Sequence, residues 1–384
     1  EEEEEEALSV SVCNMAGRHV ASLSMPAKAT ALEVKRRLHE AHGYPLFGQR
    51  LVLPAGLGSA PLGDGEALAG LPQPLDLTLV VLPRTGELGE QLLRAAEFGD
   101  LRRVRAALDS PADPNLRDGT GRTPLYVAAA NGHLDIIRLL CDARACPRLA
   151  KHRGYAPLHV ASAKCRIRVM RLLCAASAEV DQATDDGRTA LHLAAMNGQL
   201  KAVLFLSEAG ASVDHASTEG WTPLLSASSG GFVDVAEFLC RAGADKETSA
   251  KNGCTALFAA AANGHLGVVR TLCELGVDKD AAVHDGSTAL FAASAQGHLE
   301  VVSLLCDARA DANLAKDDGC GPLHIVSAAG QADLVHVLVR AKVDVHSTMP
   351  CGITPLFLAA ENRHHEVIDI LSSSAKADPK CCLA

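Results

Sequence analysis

Aromatic side chains are scarce in this chain: tryptophan, tyrosine and phenylalanine make up 3% of its 384 residues, and Trp221 is the one tryptophan. So little stacking surface, joined to a net charge of −10, argues against a nucleic-acid binder, which interleaves aromatics with basic faces. Long apolar runs are missing too, and none approaches the ~18 residues a membrane span needs. Cysteine is plentiful at 13, but no Cys-x-x-Cys pair occurs, which removes a zinc ribbon. Gly56-Leu57-Gly58 is the nearest approach to a phosphate loop, and it lacks the lysine and the helix that such a loop needs. His364-His365-Glu366 is the one crowded His/Glu group, without the i, i+4 histidine pair of a metalloprotease helix. The sequence therefore predicts no catalytic residue, no metal site, no cofactor and no small-molecule substrate.

What the chain does have is a period. Leu125, Leu158, Leu191, Leu224, Leu257, Leu290, Leu323 and Leu356 stand 33 residues apart. A short phrase surrounds each, as in Thr123-Pro124-Leu125-Tyr126, Thr189-Ala190-Leu191-His192 and Thr354-Pro355-Leu356-Phe357, and a glycine always lies four residues before the leucine. A fixed period of this size means stacked units, each too small to bury its own apolar face. Threonine is a helix cap, and proline after it suits a first helical turn that needs no amide hydrogen. Asn131-Gly132, Asn197-Gly198 and Asn263-Gly264 can end that helix in a left-handed turn. A second helix follows, then a hairpin finger in which each glycine before the threonine takes a positive φ.

The phrase and its spacing resemble the ankyrin repeat. The resemblance implies a mostly α fold, an ankyrin-repeat α-solenoid that holds a client protein on its fingers and inner helices. One unit is expected upstream, where Leu92-Leu93-Arg94-Ala95-Ala96 aligns without the threonine-proline opening, as a capping copy should. At the other end Arg363-His364-His365-Glu366 makes the last unit polar. About nine units are expected over 85–378.

Residues 1–7 form an acidic tract, and residues 8–83 have a different character. Val10, Val12 and Val20 flank a turn at Met15-Ala16-Gly17 and predict a hairpin. Residues 31–39 read as an amphipathic helix capped by Thr30, and 49–53 and 77–81 as further strands. This order resembles ubiquitin and its integral relatives, which implies a small α/β β-grasp domain. The positions matching the exposed apolar patch of that family are Met15, Val52 and Val80, a surface for ubiquitin-receptor or proteasome-linked machinery; packing of this patch on the first repeats is the alternative. Leu82-Pro83-Arg84-Thr85-Gly86-Glu87 is not a Gly-Gly tail, so the domain reads as a fixed module rather than a conjugated one.

Positions that vary between copies are candidates for recognition. Directly after the finger glycine stand Arg122, Tyr155, Arg188 and Trp221 in consecutive units, residue types enriched at binding hot spots. Residues 138–171 carry nine Lys/Arg against Asp142 alone, a basic band on an acidic chain. Lys151, Arg153, Arg166 and Arg168 from that band join the expected protein-binding row. Lys164-Cys165-Arg166 also replaces the usual turn and histidine. The histidines that recur with the period read as structural hydrogen-bonding groups. Cys141, Cys174, Cys240, Cys273 and Cys306 share one slot late in the second helix, too far apart to bridge, and read as buried apolar residues of a reducing compartment, cytoplasmic or nuclear.

The tail 379–384 ends in Lys380-Cys381-Cys382-Leu383-Ala384, which fits a prenylation box on Cys381 with Cys382 as a second acylation site. Peripheral membrane attachment is expected only if those cysteines are lipidated. The sequence as a whole predicts a non-catalytic adaptor or scaffold. The alternative, kept open by a start at Glu1 rather than methionine, is the regulatory or targeting region of a longer, enzymatic polypeptide.

Overall fold

The computed structural model describes residues 8–14, 18–26, 28–42, 49–53, 61–63, 66–71, 74–81, 86–110 and 112–377. The chain divides into two compact units, Glu1–Ala161 with Arg168–Glu179, and Ser162–Ile167 with Val180–Ala384.

The first unit opens on a mixed sheet. β1 (Leu8–Asn14) and β2 (His19–Met25) form an antiparallel hairpin, and α1 (Ala31–His42) crosses to β3 (Gln49–Val52) and β4 (Leu75–Val81). β4 pairs parallel with β1 and antiparallel with β3, giving the order β2-β1-β4-β3. Strand alternation sorts the side chains. Val10, Val12, Leu51, Leu75, Leu77 and Leu79 are buried in one core with Val34 and Leu38 of α1. Arg50 pairs with Val80 and Val52 with Thr78, so Val52 and Val80 lie on the face turned away from that core, and both are partly exposed.

The described residues hold 19 α-helices, and all but α1 fall into nine consecutive pairs. Two pairs lie wholly in the first unit, Gly86–Phe98 with Leu101–Asp109 and Pro124–Asn131 with Leu134–Asp142. Six belong to the second, from Ala190–Met196 with Leu200–Glu208 to Pro355–Glu361 with His365–Ala377.

The recurring phrase starts each first helix in one of two ways. Where the fourth place is not histidine, threonine caps: the Oγ1 of Thr123, Thr222, Thr255, Thr288 and Thr354 accepts from the backbone N–H three residues on. Where it is histidine, the imidazole reaches back, and Nδ1 of His159, His192 and His324 accepts from the N–H of Ala156, Thr189 and Gly321. Ala156 and Gly321 have no hydroxyl to cap with, so histidine supplies the closure there.

Finger geometry explains the invariable glycine. Gly187 sits at φ +77°, and a Cβ there would lie 2.7 Å from the backbone nitrogen of Thr218 in the next finger. Gly352 keeps φ +80° yet has nothing within 4 Å of the same point, since no further finger stands beside it among the described residues.

Side chains then tie unit to unit. Asp181, Asp214, Glu247, Asp280 and Asn313 each accept the backbone N–H that lies 31 residues further on. In the first unit Asn115 does the same for Cys146, but the next rung is Arg148, which has no acceptor atom and donates instead to the carbonyl of Ser177 at 3.3 Å.

The cysteines of the second helix are half-buried rather than buried, and those described are free thiols. Each follows the fully buried leucine of its helix, as Cys306 follows Leu305, and one residue is a 100° rotation off the apolar face. The turn expected to be irregular is so: Cys165 adopts φ +53°, a conformation that its sister units give to glycine except at Arg363 in the last.

Candidate functional site

The residues after the finger glycine stand at the finger bases, and each is held differently. Arg122 Nε lies 2.7 Å from Asp118 and its Nη1 3.0 Å from Glu97. Burial alone would raise the Asp118 pKa, but Arg122 and the donors of Thr120 hold its carboxyl at about 2. Tyr155 packs edge-on against His159, and the ammonium of Lys151 sits 5.4 Å from its ring centre and 5.5 Å from that of Tyr126. Arg153 is exposed at φ +66° on the same finger.

In the second unit Arg188 pairs with Asp186 at 3.2 Å and reaches the Met196 sulfur at 3.9 Å. Trp221 is anchored through its backbone: its N–H donates to Ser217 Oγ at 3.0 Å, and its carbonyl accepts from His192 Nε2 at 2.8 Å. Its ring packs with Phe258 and Val283 against Leu225, Ala250, Cys254 and Ala259. Trp221 therefore divides its surface between solvent and core.

The basic band is less uniform than its sequence implies, because helical rotation sends neighbouring residues to different faces. Arg138 lies 3.7 Å from Asp135, Arg148 lies 3.8 Å from Glu179, Arg168 is exposed, and Arg166 is partly buried with its Nε unpartnered. Met15, Cys381 and Cys382 lie outside the described residues.

The periodic histidines are engaged in structure. His133, His265, His298 and His364 face carbonyls of the preceding unit at 2.9–3.3 Å through Nε2. Burial drives the His192 pKa down to about 4. No group of three or more His, Cys, Asp or Glu among the described residues could hold a metal ion. No helix among them is long and apolar enough to cross a membrane.

A family model for ankyrin repeats in sets of three copies matches residues 92–184, 176–250, 242–316 and 308–381. The chain belongs to the ankyrin-repeat family. No curated protein matches it. Ankyrin repeats serve protein–protein interaction, and in this ankyrin-repeat protein the surface includes residues that sequence reasoning passed over. Phe258, Phe291 and Phe357 occupy the fourth place of the phrase; the first two are partly exposed and Phe357 is 53% exposed. The signal lies in that place, which holds either histidine or a large apolar residue.

Proposed function

We propose that the protein is a non-catalytic adaptor. Its ankyrin units hold a client protein on the fingers and inner helices, and its N-terminal module engages ubiquitin-receptor or proteasome-linked machinery. The observation that carries the reading is the partial exposure of Arg122, Tyr155, Arg188 and Trp221, while the phrase that follows each of them is largely buried. Large side chains left partly open at four successive finger bases, in an otherwise closed repeat, suit a partner surface. Lys151 and Arg153 add positive charge on one finger, which favours a client with an acidic patch there.

For the N-terminal module, the support is topological. A hairpin, a crossover helix and a parallel β1–β4 pair in the order β2-β1-β4-β3 suit a ubiquitin-like β-grasp. Val52 and Val80 lie on the face away from α1, where a receptor could reach them.

Proximity labelling with the full chain identifies the client. Tyr155→Ala with Trp221→Ala should then cost about 2 kcal/mol or more of its binding, and unchanged affinity overturns the finger-base reading. Val52→Glu should abolish capture of a ubiquitin-receptor domain without unfolding the sheet. Capture that persists in this variant, or is missing in the unaltered protein, removes the ubiquitin-like role.

A further inference from the structure

The second unit carries a strip of apolar rings that the repeat itself does not require. The first helices Ala190–Met196, Pro223–Ser229, Ala256–Ala262 and Ala289–Gln296 pack side by side in chain order. Trp221, Phe258 and Phe291 come from three successive units of this stack, and all three are partly exposed. Met196, 39% exposed, belongs to the unit before them. Neighbouring helices lie roughly 8–10 Å apart, so the strip from Met196 to Phe291 extends over about 24–30 Å.

The fingers bordering this strip are acidic. Asp185, Asp186, Glu219, Asp285, Asp317 and Asp318 face three cations, Arg188, Lys251 and Lys316. Two of those cations are already engaged, Arg188 with Asp186 and Lys316 with Asp285 and Asp318.

One contact shows what suits the strip. The ammonium of Lys316 lies 5.7 Å from the ring centre of Phe291 while paired with two finger carboxylates. Lys151 and Tyr126 make the same contact in the first unit, 25 residues apart as Lys316 and Phe291 are. At Phe258 that register holds Val283, an apolar neighbour that brings no charge, although Glu219 and Asp285 stand on the adjacent fingers. A cation over a ring is thus built in at two units, beside carboxylates at Lys316, while a valine takes that register at Phe258.

We propose that Trp221, Phe258 and Phe291, with the acidic fingers beside them, form a docking site for a protein segment that carries Lys or Arg among large apolar side chains. Its apolar residues cover the rings, and its cations meet the finger carboxylates beside them. The inference rests on the adaptor reading and gives its second unit a partner chemistry, opposite in charge to that favoured by the Lys151 finger.

Trp221 is the one tryptophan of the chain, so its emission reports on the site directly. The full-length protein is titrated with a synthetic peptide of about 20 residues, long enough as a helix to span ~30 Å. The peptide alternates leucine with lysine at helical spacing. One control replaces every lysine with glutamate, and a second replaces every leucine with serine. The Leu/Lys peptide should shift Trp221 emission to the blue in a saturable manner, with affinity that weakens as salt rises; the two controls should leave it unchanged. Phe258→Ser with Phe291→Ser should weaken binding at least about tenfold. Asp185→Lys with Glu219→Lys and Asp317→Lys should do the same without touching the core, and this variant decides the matter if the phenylalanine variant fails to fold. An equal response to the glutamate peptide, no response to the lysine peptide, or full affinity in the charge-reversed variant overturns the proposal. Peptide binding that survives while Arg122→Ala and Tyr155→Ala leave client capture intact counts against the finger-base reading alone. Client capture that persists with no peptide response counts against the strip alone.

Discussion

His192 donates from Nε2 to the backbone carbonyl of Trp221 across 2.8 Å, and its Nδ1 accepts from the N–H of Thr189 at 3.1 Å. One neutral imidazole thus closes the start of its own helix and ties down the finger of the next unit. A proton on Nδ1 would remove the acceptor Thr189 needs. Burial, the largest influence, holds the pKa at about 4 against an ordinary 6.5. A folded-state pKa below the unfolded one means that this contribution is complete above pH 6.5 and is lost as pH falls towards 4, by up to about 3 kcal/mol. Scanning calorimetry should show Tm falling through that window. The His192→Gln variant should have a flatter profile there; an equal slope would mean that other groups carry the pH dependence.

Two glycines with the same backbone conformation should respond differently to alanine. Gly352→Ala brings only the strain of a left-handed residue, about 1–2 kcal/mol. Gly187→Ala adds a clash with the Thr218 backbone, which cannot move without opening the neighbouring finger. Urea unfolding should place Gly187→Ala clearly below Gly352→Ala. Equal losses would show that the contact between fingers does not restrict the position.

Trp221→Ala should lower stability as well as binding. Its ring packs on the cluster of Leu225, Ala250, Cys254 and Ala259, so truncation should cost about 2 kcal/mol, less than for a fully buried tryptophan. Arg188→Ala removes a surface ion pair and a long contact to the Met196 sulfur, and should change stability by less than about 1 kcal/mol. Circular dichroism melts of the two variants give the comparison.

The thiols should separate by reactivity. Burial first, then the neighbouring carboxylates of Asp142 and Asp307, push Cys141 and Cys306 up to about 11. At pH 8 only about one in a thousand of such thiols is ionised. Alkylation mapped by peptide mass should therefore label exposed Cys351 well before either of them. Equal rates would mean that the second helices open readily.

The 33-residue period was legible because each unit repeats the same local chemistry. A capping threonine, a proline that tolerates a missing amide and a glycine with positive φ are properties of short segments, and they mark helix starts and fingers without knowledge of what lies opposite. The strands around Val10 and Leu77 were legible for the same reason, since alternation is local. What neighbouring units do to one another could not be read this way. That Gly187 is obligatory because Thr218 approaches it, that Arg148 breaks a ladder of acceptors, and that Trp221 gives part of its ring to a core with Cys254 all depend on atoms some thirty residues apart in sequence. The basic band shows the limit from the other side. Contiguous in sequence over 138–171, it loses its unity in space because each residue turns the next by 100° on a helix and because finger and helix present different faces. Composition and period determined the architecture; the approach of one unit to the next decided which side chains remain free to meet a partner.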